Sequence, residues 1–325
     1  MLKTVSLSVM AITAAVALPA LAQEKPADFP ERPLTMIVPY GAGGGSDQLS
    51  RAMAASMEEV LGQPVQVVNK PGGGGMAAVP DFMTAPADGY TLLESIDDAV
   101  TNHVSGKLAE NPGTDWEPLC MAQVTFSQIY IRPDDDRFSD WESFVAYAKD
   151  NEVSIANVGN LGSMERINML KIEEALGFKT NQIAFDKPAE RYAGLIGAQV
   201  DALFEQPGDV RSFLDAGQMT PILSVFPERP GAFADVPTHI EAGADFEALL
   251  RFRGFYIHPD VAEDRKRYLE AVCKQGFDSA SFQEFNESKY MTLIDSYRDT
   301  AGSKELIEKA VNTYTAVYKE IGLLN

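Results

Sequence analysis

Histidine and cysteine are scarce in this chain. It has His103, His239 and His258, together with Cys120 and Cys273, among 325 residues. There is no C-x-x-C and no His/Cys cluster, so a bound metal is not expected. The G-x-S-x-G nucleophile elbow is missing, and no histidine lies in either glycine-rich segment, so we expect no enzyme and no cofactor. Adjacent acids such as Asp97-Asp98, Glu173-Glu174 and Asp134-Asp135-Asp136 point in different directions along a strand or helix. They read mostly as solvated surface.

Positive charge is also short. There are 27 Lys and Arg against 47 Asp and Glu, a formal net charge of −20. So acidic a surface argues against nucleic acid and anionic lipid as partners. Long apolar runs are limited to Val5–Val16, which follows Lys3 and precedes Ala20-Leu21-Ala22. The run falls short of the roughly 20 residues a membrane span needs, and the A-x-A pattern reads as a signal peptide cleaved after Ala22. An exported, periplasmic protein is expected. Its two cysteines could then form one disulfide, but two separate buried thiols are the preferred reading.

With 45% apolar residues the chain can bury a sizeable core, and its length suits two domains better than one. Leu34–Val38 reads as a buried strand, Ser46–Leu61 as an amphipathic helix stopped by Gly62, and Val65–Val68 and Tyr90–Leu93 as strands. Further strands are expected at Gln128–Arg132, Ser154–Asn157, Gln182–Phe185, Asp201–Phe204, Thr220–Val225 and Phe255–His258. Helices fall between them, at Trp141–Asp150, Ser163–Leu176, Glu190–Ile196 and Asp209–Ala216, and the last 65 residues look helical. Strands alternating with helices predict an α/β protein with mostly parallel sheets. No flexible linker separates the two units, so the chain should cross between them more than once.

The segment Tyr40-Gly41-Ala42-Gly43-Gly44-Gly45-Ser46-Asp47 joins the first strand to the first helix. Three consecutive glycines let backbone approach a ligand closely, and the helix start aims free N–H groups at one point, a ready anion site. Asp47 suits the helix cap or first turn. A dinucleotide fingerprint fails because Ser46 takes the place of its third glycine, and a phosphate loop fails for want of a lysine between Gly41 and Arg51. A carboxylate, met by amides and the Ser46 hydroxyl, remains. A second strand-to-helix loop, Gly159-Asn160-Leu161-Gly162-Ser163, could face the first across a cleft, with Ser163 both capping its helix and donating to the ligand.

These residues resemble those of the tripartite tricarboxylate transporter receptors, the Bug-type extracytoplasmic solute-binding proteins. The likeness runs through Ile37-Val38-Pro39-Tyr40, Ala42-Gly43-Gly44, Asp47 and Arg51, then Leu61-Gly62-Gln63-Pro64-Val65 and Asn69-Lys70-Pro71-Gly72. It continues at Ala87-Asp88-Gly89-Tyr90-Thr91-Leu92-Leu93, Gly197-Ala198-Gln199-Val200-Asp201-Ala202, Asp235-Val236-Pro237-Thr238 and Glu241-Ala242-Gly243. The resemblance implies a two-lobed periplasmic-binding-protein fold of the Venus flytrap, type II-like kind. The lobes are placed at residues 24–124 with 251–325, and at 125–250. It further implies capture of a small carboxylate by the loops Tyr40–Asp47 and Gly159–Met164, and delivery by a monomer to membrane transporter subunits. A ligand-sensing module for a membrane signalling partner is the alternative, and a hydrolase or lyase on the same scaffold a more distant one.

The chain departs from the family pattern at Arg166, where the family usually carries a histidine, at Glu94-Ser95-Ile96-Asp97-Asp98, at Phe185-Asp186-Lys187-Pro188 and at Glu205. If Asp97, Asp98 or Glu205 points into the cleft, the ligand carries a cationic or hydrogen-bond-donating group besides its carboxylate. These three are therefore added to the candidate ligand-binding residues.

Overall fold

The computed structural model describes residues 25–158, 162–185 and 187–324. The expected leader and its cleavage site after Ala22 lie outside the described residues, as do Gly159, Asn160 and Leu161 of the second loop.

The first strands and helices follow from their apolar spacing. β1 (Leu34–Val38) is almost wholly buried, and α1 (Gly45–Leu61) turns Leu49, Met53, Met57 and Leu61 inward. Those positions recur at three to four residues, one face of a helix. Gly62 ends α1 at φ 67°, where its N–H closes onto the Glu58 carbonyl. β2 (Val65–Asn69), α2 (Val79–Met83), β3 (Thr91–Ile96), α3 (Asp98–Val104) and β4 (Glu117–Thr125) complete the first pass.

A single residue, Phe126, separates β4 from β5 (Ser127–Ile131). Then come α4 (Trp141–Asp150), β6 (Ser154–Asn157), α5 (Met164–Leu176), β7 (Asn181–Ala184), α6 (Pro188–Ile196), β8 (Ala202–Glu205), α7 (Arg211–Asp215) and β9 (Thr220–Val225). β10 (Arg251–Ile257) returns to the first sheet, followed by α8 (Glu263–Asp278), α9 (Ala280–Ser288) and α10 (Thr300–Glu320).

The two sheets have the orders β2-β1-β3-β10-β4 and β7-β6-β8-β5-β9. They are mixed, not mostly parallel. β1 runs parallel to β2 and β3, and β6 to β7 and β8, but β10 opposes β3 and β4, and β5 opposes β8 and β9. The reversed strand in each sheet is the first one entered after the chain crosses over. Helices cover both sheets, giving a two-lobed α/β protein.

Cys120 on β4 and Cys273 on α8 form a disulfide, their Cα atoms 6.5 Å apart. The preferred expectation of two separate thiols is thereby corrected. Both residues lie in the core between the first sheet and α8, where packing brings together positions 153 residues apart. α10 packs on β4 and α3, and its Tyr318 hydroxyl donates to the Gly162 carbonyl at 2.8 Å. It thus joins the first lobe to the start of the second loop's helix.

Candidate functional site

The first glycine loop is held by its own aspartate. Asp47 Oδ2 accepts the Gly43 N–H at 2.9 Å and the Arg51 Nε–H at 3.1 Å, while Oδ1 accepts from Asn69 at 3.0 Å. Burial alone would raise the Asp47 pKa. The Arg51, Gly43 and Asn69 contacts outweigh it and hold the carboxyl below its usual value. Asn69 also donates to the Tyr40 carbonyl at 3.0 Å, so strand β2 braces both ends of the turn. Gly43 takes φ 82°, a left-handed conformation that side chains disfavour. The Gly43 amide is therefore spent on Asp47, and Gly44 is the residue that caps α1.

Gly44 and Gly45 are small because the second lobe passes directly over them. A Cβ on Gly44 would come 2.5 Å from Pro188 Cγ, and one on Gly45 would overlap the Asp209 carboxylate and the Arg253 guanidinium. Together Tyr40, Gly44, Gly45 and Ser46 from the first lobe meet Val158, Arg191, Glu205 and Asp209 from the second, with Arg251 and Arg253 of β10, around a cavity of about 30 Å³. That is room for a single water, so the lobes are closed on one another.

Nine ionisable side chains lie buried in this seam: Arg191, Arg251 and Arg253 against Glu94, Asp97, Asp98, Glu165, Glu205 and Asp209. Arg251 Nη1 donates to Asp97 at 2.6 Å and lies 3.5 Å from Asp98, while its Nη2 pairs with Glu165 at the start of α5. Arg253 Nη2 donates to Asp209 at 2.5 Å and to the Gln206 side chain at 3.1 Å, and its Nη1 bonds to Gln123. Arg191 Nε reaches Glu205 at 2.9 Å. Tyr314 of α10 adds a hydroxyl to Asp97 at 3.2 Å.

Acids outnumber bases in the seam, and the acids respond. Burial pushes Glu94 up to about 7 despite the pull of Arg253 and the Ser46 hydroxyl. Burial likewise carries Asp98 to about 7 against Arg251, with Asp97 and Glu165 adding repulsion. Glu165 and Asp209 are raised by the same desolvation. Asp98 Oδ2 and Glu165 Oε2 meet no hydrogen-bond donor among the described residues. An environment with surplus buried acceptors is one that calls for donors.

Several expectations from the sequence can now be placed. Tyr40, Gly44, Gly45 and Ser46 line the cavity, and so does Glu205. Ala42, Gly43 and Asp47 shape the loop without being part of that lining. Gly162 and Ser163 lie beside α10 and at the cap of α5, where Ser163 receives the Arg166 N–H at 3.4 Å. Val158, which directly precedes the second loop, lines the cavity. Asp97 and Asp98 are buried against Arg251, not free in the cleft, and Glu205 is neutralised by Arg191. The expectation that acidic runs are mostly solvated is corrected for Asp97-Asp98, because Arg251 replaces the water they lose.

Arg251, Arg253, Arg191 and Asp209 were not foreseen. A signal for the first two exists in Leu249-Leu250-Arg251-Phe252-Arg253-Gly254-Phe255, where two arginines stand two residues apart in an apolar run. On a strand that spacing puts both cations on one face.

A family profile described as "Tripartite tricarboxylate transporter family receptor" matches residues 49–323. A UPF0065 protein of Bordetella pertussis is 28% identical over 277 residues, covering 84% of this chain and 85% of its own length. A crystal structure of a TctC solute binding protein from Polaromonas, without ligand, has 25% identity and a TM-score of 0.64, with 90% of this chain and 99% of that one aligned. The fold is shared with MatC of Rhodopseudomonas palustris with bound malate, at 23% identity and a TM-score of 0.79 over 89% of this chain and 99% of that one.

Proposed function

The chain belongs to the tripartite tricarboxylate transporter receptor family, and we propose that it is a periplasmic receptor that captures a small organic carboxylate between its lobes and delivers it to membrane transporter subunits. It works as a monomer, without cofactor and without turning its ligand over. One lobe comprises residues 24–124 and 251–325 and the other 125–250, a division supported by the separation of the strands into two sheets.

One observation carries the reading: the cavity where Gly44, Gly45 and Ser46 face Glu205, Asp209, Arg251 and Arg253, with walls drawn from both lobes. The start of α1 and the Arg253 guanidinium offer donors to a carboxylate. Val158, just before the second glycine loop, lines the cavity from the other lobe. The seam's buried acids outnumber its arginines, and Asp98 and Glu165 keep oxygens without a donor, which favours a ligand bearing an ammonium or another donor beside its carboxylate. A plain dicarboxylate adds two charges to a seam already rich in acids.

The reading is tested by thermal-shift screening followed by calorimetry with paired ligands that differ only in an amino group, such as succinate against aspartate and adipate against 2-aminoadipate. Micromolar binding, about −8 kcal/mol, is expected for the amino-bearing member of a pair. Binding of plain dicarboxylates alone, unaltered in E205Q, would remove the donor-bearing ligand. Mass spectrometry of protein purified from its host identifies the compound retained in the cleft.

A further inference from the structure

Asp209 stands between β8 and α7 in the second lobe, yet its partners lie in the first. Its carboxylate is bonded to Arg253 of β10 and rests against Gly45 at the first turn of α1, so closely that a methyl group on Gly45 would overlap both. Arg253 divides its donors between the lobes, Gln123 on its own side, Gln206 and Asp209 on the other. The place where the first turn of α1 and a guanidinium meet is thus filled by a carboxylate of the protein itself. Around Asp209 the other charged groups are Glu205 and Glu94, which repel it, and Lys289, which attracts it.

We propose that Asp209 is an internal stand-in for the ligand's carboxylate, clasping the unliganded protein shut through Arg253 and Gly45 until a ligand displaces it. The inference rests on the carboxylate-capture reading. Two carboxylates cannot share Arg253 and one helix start without strong repulsion. Binding therefore exchanges the Arg253–Asp209 pair for an Arg253–ligand pair, and affinity reports the difference between the two. Asp209 is thereby a specificity-determining residue, since a ligand must hold Arg253 better than the chain's own acid does. Once released, its carboxylate is available to a donor group on the same ligand.

The test is D209N, with D209S as a second variant in case the amide repacks against Gln206. Small-angle scattering of the ligand-free proteins is expected to show a larger radius of gyration for both variants than for wild type. Calorimetric titration with succinate is expected to show at least tenfold tighter binding to the variants. Identical ligand-free scattering overturns the clasp, and so does expansion accompanied by unchanged or weaker succinate binding. Expansion in variants when neither they nor wild type binds any carboxylate tried supports the clasp and refutes the carboxylate reading instead.

Discussion

Tyr318, in the last helix, donates its hydroxyl to the carbonyl of Gly162, 156 residues earlier, and its ring fills the space a side chain at Gly162 would need. G162A should therefore force Tyr318 out of place. Overpacking of this kind costs about 1–3 kcal/mol, and Y318F, which loses only the hydrogen bond, about 1 kcal/mol. Thermal unfolding is expected to rank wild type above Y318F and Y318F above G162A. The reverse order for the two variants would show that α10 yields easily.

Arg251 is the shared partner of Asp97, Asp98 and Glu165 in a site closed to water. Replacing it by methionine keeps the bulk and leaves three acids facing one another. Removing one partner of a buried pair typically costs about 3–5 kcal/mol. R251M should lose at least this much in urea unfolding at pH 7.5. Part of the loss should return near pH 5, where the acids are free to protonate.

The pH response of the wild type follows from Glu94 and Asp98, both raised to about 7 by burial. Unfolded carboxyls release their protons near pH 4, so between about pH 4.5 and 7 the folded chain binds more protons than the unfolded one. Stability from these groups is fully present below that window and falls as pH rises through it. The melting temperature should decline from pH 5 to pH 8, and E94Q should flatten the decline. A wild-type melting temperature that rises over this range would contradict the surplus of buried acid.

G45A inserts a methyl group where Asp209 and Arg253 meet. The lobes of this variant cannot close fully. Affinity for whichever carboxylate the screen identifies should fall at least tenfold, with little change in melting temperature. Equal affinity in G45A would place ligand capture somewhere other than this seam.

Breaking the Cys120–Cys273 bridge frees a long loop in the unfolded chain, and loss of a native disulfide commonly costs about 2–5 kcal/mol. The double variant C120A/C273A, or the reduced wild type, should melt several degrees lower. Because both cysteines sit within one lobe's core, ligand affinity should stay the same below the melting range.

Local pattern made most of the scaffold readable. β1, α1, β6, α4 and β9 were expected where they stand because their apolar residues recur at strand or helix spacing. β4 was missed. Its run Glu117-Pro118-Leu119-Cys120-Met121-Ala122-Gln123-Val124-Thr125 carries an early proline, which an edge strand tolerates, and a buried glutamine serving Arg253. The glycine loop is legible for its amides, but Gly44 and Gly45 answer equally to the bulk of Pro188 and Asp209, which only the folded chain brings near. The charged seam was hidden for the same reason. Asp97, Arg251 and Glu165 are far apart in sequence, and nothing in the neighbours of any one of them names the other two.

The passage from β4 to β5 occupies Phe126 alone, packed against Phe226 and Phe233. So short a bridge leaves only a few backbone torsions to turn and no slack to slide. Paired with the return through β10, it confines any opening to a swing about an axis running past those two crossings. Residues beside that axis hardly move, and the backbones of Gln123 and Arg253, paired across β4 and β10 next to the two crossings, are among them.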